Sequence, residues 1–520
     1  MKQKMNLKSH FIFSVLLLSI SVYAQQLTVN EIFNEGAVLQ QNSKVAIWGT
    51  SAASKEITIN FQNKTVKTTG KPDGTWTADL QSLKAGGPFM MKISCEKDTI
   101  RFNEIYVGEV WLAGGQSNMA FMLENSDNGK TEIANAQNNN IRFVMVPYKA
   151  FEGDKIRGDL NWRTATTENV SKMSAVGYYF AKDLQAKLKV PVGIICCYKG
   201  GSGAETWTTR ESLMKNPELA PIVEKYENYF SELGNEKYMQ LVAKYENDLK
   251  AYQDSVKAGN KNLKSPKEPM GERNYNRPYG LYNTMLKRVI PYTVKGAIWY
   301  QGEHNSSRGK QYQTLFPVMI EQWRTDFRNP DMPFLFVQLP GYANADANNR
   351  QIWPELREAQ LFTMQKVPNT GMAVINDLGN PTNIHPTHKE PVGKRLALIA
   401  LNKTYQFKVP FSGPVFKSAQ FKSGKAVITF DYIEKGLKCD GELQGFTICG
   451  DDKNFVPAKA QIINNQVVVS AEGVNSPVAV RYDWSNWTIG NLKNSADLQA
   501  SPFRTDNFPL LSESNKTDKY

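Results

Sequence analysis

Cysteine, histidine and long apolar stretches are all scarce in this chain of 520 residues. The five cysteines form no C-x-x-C pair, so the sequence indicates neither a structural zinc site nor a dithiol redox site. Downstream of the first 24 residues, no apolar run is long enough to span a membrane. The length of the chain indicates two to four domains. With 22% charged and 41% hydrophobic residues, it has the composition of a globular protein, not of a disordered or disulfide-scaffold one.

The sequence indicates no metal or redox role for the cysteines. Cys196 and Cys197 end an apolar run and are interpreted as small buried hydrophobic side chains, with a cysteine nucleophile as the alternative. Cys439 and Cys449 either bridge a hairpin or remain two free thiols. The sequence does not decide between these two states.

The N-terminus is typical of an exported protein. Three lysines precede an apolar stretch from Phe11 to Val22, and Val22-Tyr23-Ala24 has small residues where a signal peptidase cuts. Residues 1–24 are therefore predicted to be a signal peptide, with a retained anchor as the alternative, and the mature protein to be periplasmic or extracellular. Removing them lowers the formal charge from +12 to +9. The remaining basic residues are scattered, so neither nucleic-acid binding nor stable membrane insertion is expected.

Three regions follow the predicted leader. Residues 25–104 contain short alternating runs separated by turn residues such as Pro72-Asp73-Gly74, which predicts an N-terminal β-domain. Residues 408–520 return to alternating runs and predict a C-terminal β-module. Between them, residues 105–407 are expected to form a central domain of different character.

Continuous apolar runs alternate with helical periodicity in this middle region, which predicts a parallel sheet covered by helices on both faces and so an α/β fold. An insertion at about residues 211–276, rich in Lys, Glu, Tyr and Leu, predicts a helical hairpin broken near Gly234. The predicted strands are Ile105–Ala113, Val192–Tyr198, Gly296–Gln301, Phe334–Leu339 and Met372–Asp377, and the predicted helices are Ala175–Leu188, Pro354–Val367 and Glu390–Tyr405.

Only three histidines lie beyond the leader, and all follow predicted strands. His304 comes after the third strand, and His385 and His388 come after the fifth. Ligands in open α/β sheets bind outside the carboxyl ends of the strands, so these side chains are candidates for a general base.

Ser117 is the candidate nucleophile. Gly114 and Gly115 end the first strand of the sheet, and Ser117 follows at a predicted helix start, where backbone N–H groups favour an oxyanion. A serine that merely caps a helix is the alternative. The second glycine of a Gly-x-Ser-x-Gly elbow is missing, which disfavours an α/β-hydrolase.

Two further loops offer hydrogen-bond donors at the same rim. Gly200-Gly201-Ser202-Gly203 follows the second strand, and Tyr300–Asn305 follows the third. An acyl-transfer site needs such donors because the tetrahedral intermediate carries negative charge on oxygen.

Together these segments resemble the sialate O-acetylesterase family, within the SGNH (GDSL-like) hydrolases. The resemblance covers nearly the whole mature chain, and the order of the four blocks is more specific than any one of them. The blocks are Gly-Gln-Ser-Asn-Met at 115–119, Lys-Gly-Gly-Ser-Gly-Ala-Glu-Thr-Trp at 199–207, Trp-Tyr-Gln-Gly-Glu-His-Asn at 299–305 and Asn-Ile-His-Pro at 383–386.

The resemblance implies a flavodoxin-like SGNH core and a site for each role. Ser117 would be the nucleophile and His385 the general base. The family usually places an Asp three residues before the His, but Thr382 stands there. A Ser–His dyad is therefore expected, its ring held by a backbone carbonyl, Asn383 or Asp377. The implied oxyanion hole comprises Ser117, Gly201, Gln301 and Asn305, and the implied substrate-binding residues are Gln116, Glu303 and His304.

The implied activity is that of an exported serine esterase that removes O-acetyl groups from sialic acid, without a metal or other cofactor. An acetyl xylan esterase is the alternative enzyme, since the same blocks would serve a neutral sugar. A non-catalytic glycan-binding protein is the alternative from another class, because the expected Asp is missing. The sequence does not indicate the oligomeric state or the acetyl position.

Overall fold

The computed structural model describes residues 26–260 and 263–517. The predicted signal peptide, residues 1–24, lies outside this part of the chain. Within the described residues, no helix is long and apolar enough to cross a membrane. All five cysteines are free, so Cys439 and Cys449 do not form a disulfide.

The first described segment is β structure in which alternate side chains are buried, as the sequence pattern predicts. In β3, for example, Ile57, Ile59 and Phe61 face the core while the intervening residues are more exposed. The strands are β1 (Val38–Gln40), β2 (Val45–Thr50), β3 (Glu56–Phe61), β4 (Lys64–Thr69), β5 (Thr75–Leu80) and β6 (Gly86–Cys95).

A single long strand, β7 (Asp98–Gly115), connects this N-terminal region to the centre of the molecule. Its first half pairs antiparallel with β6. Its second half lies in the parallel sheet of the core, where burial is continuous. One hydrophobic core extends across both regions. The boundary predicted between residues 104 and 105 therefore falls inside a continuous strand.

The central sheet consists of parallel strands whose carboxyl ends lie along one edge. Their spatial order is β13-β12-β11-β7-β10-β8, and β9 pairs antiparallel at the outer edge. Leaving out β8, the five remaining strands lie in the order second, first, third, fourth, fifth. The strands that follow β7 are β8 (Gln137–Met145), β9 (Arg163–Thr166), β10 (Val192–Tyr198), β11 (Gly296–Tyr300), β12 (Phe334–Val337) and β13 (Thr370–Ala373).

Helices cover this sheet, and a helical hairpin is inserted between β10 and β11. The hairpin helices α4 and α5 separate at Gly234, the residue where the sequence predicts a break. The helices are α1 (Gly129–Ala134), α2 (Ala175–Leu188), α3 (Arg210–Lys215), α4 (Ala220–Leu233), α5 (Asn235–Lys257), α6 (Gly280–Thr284), α7 (Gly309–Asp326), α8 (Trp353–Lys366) and α9 (Glu390–Ile399).

Short helical turns occupy several strand-to-helix connections. The last of them is a π-helical turn that directly continues α9, where the sequence predicts one longer helix. They are the 3₁₀ turns Leu123–Asn125, Val170–Lys172, Ala204–Trp207, Leu286–Arg288, Glu303–Arg308 and Asn376–Leu378, and the π turn Ala400–Thr404.

The C-terminal module has a hydrophobic core of its own. It contacts the connections that follow β12 and β13. Asn486 accepts a hydrogen bond from the Tyr342 backbone at 2.8 Å, and Thr488 donates to the Asn376 carbonyl at 2.9 Å. Its strands are β14 (Val415–Lys422), β15 (Lys425–Asp431), β16 (Leu437–Lys438), β17 (Phe446–Cys449), β18 (Val456–Pro457), β19 (Lys459–Ile463), β20 (Gln466–Ser470), β21 (Ala479–Tyr482), β22 (Lys493–Asn494) and β23 (Phe503–Arg504).

Candidate active site

Ser117 lies just beyond the carboxyl end of β7, in the middle of the sheet. Gly115 ends this strand with φ +134°, and a Cβ at this residue would lie 2.2 Å from the Tyr300 carbonyl oxygen. Only glycine fits there. The expected helix start after Ser117 is wrong, because residues 117–119 form a turn. Gln116, Asn118 and Met119 are all buried, so this segment lacks the exposed face of a surface helix.

His385 lies in the connection between β13 and α9 and meets Ser117. Its Nε2 is 2.8 Å from Ser117 Oγ, within hydrogen-bond distance. Burial, and secondly the positive charge of Lys389, lower the pKa of His385 below its ordinary value. A neutral imidazole at neutral pH has a nitrogen lone pair available to accept the serine proton.

Neither carboxylate nor amide orients the ring in the way the sequence suggests. Both oxygens of Asp377 accept hydrogen bonds from Arg395, at 2.6 and 2.7 Å, which corrects its predicted role as the third member of a triad. Asn383 Oδ1 accepts the backbone N–H of His385 at 2.9 Å, so it stabilises the turn of the chain and not the ring. The arginine fork holds the carboxylate toward α9, and among the described residues Asp377 makes no hydrogen bond to the His385 ring.

A buried polar network connects the loop of Ser117 to the loop of His385 instead. Asn118 Nδ2 donates to the Ile384 carbonyl at 3.0 Å, which links the residue after Ser117 to the residue before His385. The same amide group donates to Glu303 Oε1 at 2.6 Å, and its oxygen accepts from Lys389 Nζ at 2.6 Å. Asn118 and Lys389 are both 1% exposed. The Asn118 amide therefore hydrogen-bonds a buried carboxyl, a buried amine and the backbone of the His385 loop.

Burial strongly perturbs the two ionisable members of this network. It raises the pKa of Glu303 above its ordinary value and lowers the pKa of Lys389 to about 7, while their mutual attraction opposes each shift. The other carboxylate oxygen of Glu303 has no hydrogen-bond partner within the described residues. The Lys389 ammonium also lies 4.8 Å from the Phe121 ring centroid and 5.3 Å from that of Tyr300.

Backbone donors converge beside the serine. A Cβ placed on Gly200 would lie 3.5 Å from Ser117 Cβ, so the glycine loop after β10 packs directly against Ser117. Gly201 has φ +75°, the left-handed conformation that glycine favours. In the described part of the chain, the backbone N–H groups of Ser117 and Gly201 make no hydrogen bond. These two amides are available to an oxyanion.

The side chains of Gln301 and Asn305 form hydrogen bonds to the backbone of this glycine loop. The two N–H groups of Gln301 donate to the Ser202 carbonyl at 3.1 Å and to Asn305 Oδ1 at 2.6 Å. The prediction that Gln301 is an oxyanion donor is therefore corrected, because both of its amide hydrogens are already used. Asn305 accepts the Ala204 N–H at 3.0 Å and donates to Glu205 at 2.7 Å, so it too holds the glycine loop in place.

The three residues implied to bind substrate lie close to the catalytic pair but differ in exposure. Gln116 is 3% exposed, and its Oε1 accepts the His304 backbone N–H at 3.3 Å. Glu303 is likewise buried, in the network with Asn118, so it does not face the solvent side from which a sugar would enter. His304 is half-buried and is the most accessible of the three.

The remaining candidates from the sequence lie away from this chemistry. His388 is exposed and pairs with Asp127. Cys196 and Cys197 are buried in β10, and burial raises the pKa of Cys196 to about 12 and that of Cys197 further. A cysteine that stays protonated is not a nucleophile, so the alternative of a cysteine hydrolase is wrong.

Sequence reasoning missed Asn118 and Lys389. Asn118 directly follows Ser117 in the Gly-Gln-Ser-Asn-Met block, and this position is the sequence feature that could have indicated a role at the site. Lys389 follows His385 by four residues, but nothing in the sequence indicates that a lysine before a helix is buried.

Comparisons with known proteins identify the family of the chain. A family model described as carbohydrate esterase, sialic acid-specific acetylesterase (SASA) matches residues 107–258 and 269–402. A sialate O-acetylesterase of Homo sapiens is 28% identical over 498 residues, covering 87% of this chain and 87% of the human protein. One of Mus musculus is 27% identical over 505 residues, covering 86% of this chain and 88% of the mouse protein.

A solved structure extends the likeness to the fold. The crystal structure of a carbohydrate acetylesterase from Xanthomonas citri is 35% identical, with a TM-score of 0.77. It aligns with 92% of this chain and 100% of its own. The family model spans more than half of the chain, including Ser117 and His385. The chain therefore belongs to the carbohydrate esterase family of sialic acid-specific acetylesterases, and it is an esterase.

Proposed function

We propose that this protein is an exported serine esterase that removes O-acetyl groups from sialic acids through an acetyl-enzyme on Ser117. The observation that carries the proposal is the 2.8 Å contact between Ser117 Oγ and His385 Nε2 at the carboxyl edge of a parallel sheet. The serine attacks the acetyl carbonyl while the imidazole takes its proton. The imidazolium then protonates the departing sugar hydroxyl, and water repeats the cycle on the acetyl-enzyme.

The glycine loop supplies the electrostatic part of this mechanism. The negative oxygen of the tetrahedral intermediate is bound by the N–H groups of Ser117 and Gly201, which have no other partner within the described residues. Each preorganised donor of this kind lowers the barrier by roughly 2.7–4 kcal/mol. Gln301 and Asn305 act indirectly, because they fix the loop that presents Gly201.

Ser117 and His385 work as a dyad, without a carboxylate hydrogen-bonded to the imidazole ring. Burial, and secondly Lys389, lower the pKa of His385, which favours the neutral imidazole that accepts the serine proton. Asn118 fixes the distance between the two loops, which is the positional part of what a third triad member does.

The test of the mechanism is Ser117→Ala, with acetate release as the measurement. Turnover should fall at least a thousandfold while the folded state is retained. An irreversible serine-directed probe should label the wild type and fail on this variant. His385→Gln should be as damaging. Its matched control, His388→Gln, should keep normal turnover, because His388 is exposed and pairs with Asp127. Near-normal turnover by folded Ser117→Ala would remove the proposal.

The substrate is proposed from the relatives, which are sialate O-acetylesterases. Acetate release from O-acetylated sialic acid should exceed release from acetylated xylan by the wild-type enzyme. The opposite preference would make the protein an acetyl xylan esterase. A wild type that binds glycan but neither releases acetate nor reacts with the probe would be a non-catalytic binding protein.

We further propose that residues 1–24 are removed on export and that the core is of the SGNH type. The strand order around β7, second-first-third-fourth-fifth when β8 is left out, supports the flavodoxin-like part of that assignment. The proposed units are residues 25–104, 105–407 and 408–520, of which the first two are joined through β7 and share one hydrophobic core. The mass of the protein recovered from outside the cytoplasm tests the cleavage.

A further inference from the structure

Lys199 lies between two tyrosine rings beside the candidate active site. Its Nζ is 4.2 Å from the ring centroid of Tyr148 and 4.7 Å from that of Tyr275, and the two rings meet edge to face. The three residues come from different parts of the chain: Tyr148 follows β8, Lys199 follows β10, and Tyr275 follows the helical hairpin. The arrangement, named here the Lys199 cage, is therefore a product of the tertiary fold.

The ammonium of Lys199 has no ion-pair or hydrogen-bond acceptor within the described residues. The rings contact it through their π faces, and an ammonium carries three N–H donors that such faces leave mostly unused. The lysine is half-buried, and burial lowers its pKa below the ordinary value. A partly desolvated cation with unused donors is suited to binding an anion that enters from solvent.

The Lys199 cage is part of the same loop as the oxyanion donors. Lys199 directly precedes Gly200, whose added Cβ would lie 3.5 Å from Ser117 Cβ. On the other side, a Cβ on Gly201 would lie 3.0 Å from the Tyr275 hydroxyl. A sugar whose acetyl group reached Ser117 would therefore lie against the loop that carries Lys199.

We propose that Lys199, held between Tyr148 and Tyr275, binds the carboxylate of an acidic acetylated sugar and so selects it over a neutral one. This inference rests on the proposed esterase function and adds the residue that recognises the acid. Nothing in the reaction at Ser117 requires it, so a neutral acetyl ester should be hydrolysed without help from Lys199.

Two carboxyl groups, Asp154 and Glu268, and a second cation, Arg157, act on the cage. Arg157 lies 5.7 Å from the Tyr148 ring centroid and pairs with Asp154. Glu268 is half-buried, and burial raises its pKa to about 6, with the positive charge of Lys199 acting in the opposite direction. It forms no salt bridge to Lys199 among the residues described. Ionised Glu268 repels an incoming carboxylate, so removing its charge should favour the acidic sugar.

The experiment compares O-acetylated sialic acid with its carboxyl methyl ester, measuring acetate release for each. The wild type should prefer the free acid, and Lys199→Gln should lower kcat/KM on the free acid by about tenfold to a hundredfold. The same variant should hydrolyse the methyl ester at the wild-type rate. Lys199→Arg should retain most of the preference, and Glu268→Gln should lower KM for the free acid only.

The matched control is Lys187→Gln, which removes the same charge from the exposed end of α2, before β10 begins and so away from the strands' carboxyl edge. It should leave both rates unchanged. If Lys199→Gln hydrolyses the two esters in the wild-type ratio, the carboxylate site is refuted while the esterase remains. If the wild type hydrolyses neither ester but releases acetate from xylan, the proposed substrate and this inference both fail. Release from no substrate refutes the proposed function itself.

Discussion

Replacing Asn118 by alanine is expected to slow the reaction although Asn118 touches neither the proton in transfer nor the oxyanion donors. Its amide makes three buried hydrogen bonds: 2.6 Å to Glu303, 2.6 Å from Lys389 and 3.0 Å to the Ile384 carbonyl. Alanine removes all three at once. The loop that carries His385 then loses its direct connection to the loop that carries Ser117.

Two quantities follow from these contacts. Hydrogen bonds to charged groups contribute about 1.5–3 kcal/mol each and neutral ones about 1 kcal/mol, but water entering the vacated space recovers part of this. The free energy of unfolding should therefore fall by about 2–4 kcal/mol. A displacement of the imidazole by 1 Å costs on the order of a hundredfold in rate, so kcat should fall by about 30- to 100-fold with KM little changed.

The assay is acetate release from an O-acetyl ester, run well below the unfolding temperature of the variant, together with denaturant unfolding. Asn128→Ala is the matched control. Asn128 is exposed, and its amide donates to Glu390 at 3.0 Å outside the buried network, so this variant should behave as wild type. A folded Asn118→Ala enzyme with kcat within threefold of wild type would refute the positioning argument.

Three other outcomes are expected. Lys389→Met should raise the pKa of His385, because the lysine charge helps to lower it. In the proposed mechanism the neutral imidazole is the active form, so the acid limb of the pH–rate profile should then move to higher pH, and an unmoved limb would contradict this. Asp377→Asn should keep kcat within about threefold, whereas loss of a triad acid costs about ten-thousandfold. Gly115→Ala should lower the unfolding free energy by about 3 kcal/mol or more through a backbone clash, against about 1 kcal/mol for Gly234→Ala, which has positive φ but open space.

The helices and strands of the core were largely predictable, because buried strands have continuous apolar sequences that can be recognised directly. The predicted strand Val192–Tyr198 and the predicted helix Ala175–Leu188 agree with the structure at both ends. β8 (Gln137–Met145) was missed, since it begins with a run of glutamine and asparagines that has no strand-like pattern. The helix predicted through Tyr405 ends earlier, where a π turn begins at Ala400.

Of the site, residue types and order were predictable, but hydrogen-bond partners were not. The Ser117–His385 contact follows from two loops at one sheet edge, which a strand pattern indicates. The assignment of Asp377 failed because a helix eighteen residues further on supplies Arg395, a long-range pairing with no local signal. Gln301 failed for a similar reason, since its donors are used by groups from two other turns.

The continuity of β7 has a consequence for engineering this enzyme. The strand that starts in the N-terminal sheet at Asp98 ends at Gly115, two residues before Ser117, the proposed nucleophile. A graft or truncation at residue 104 would cut β7, the strand that ends next to Ser117. It would also expose the hydrophobic core that the N-terminal region and the central domain share. Exchange of modules between relatives should therefore move the whole span through Gly115 as one piece.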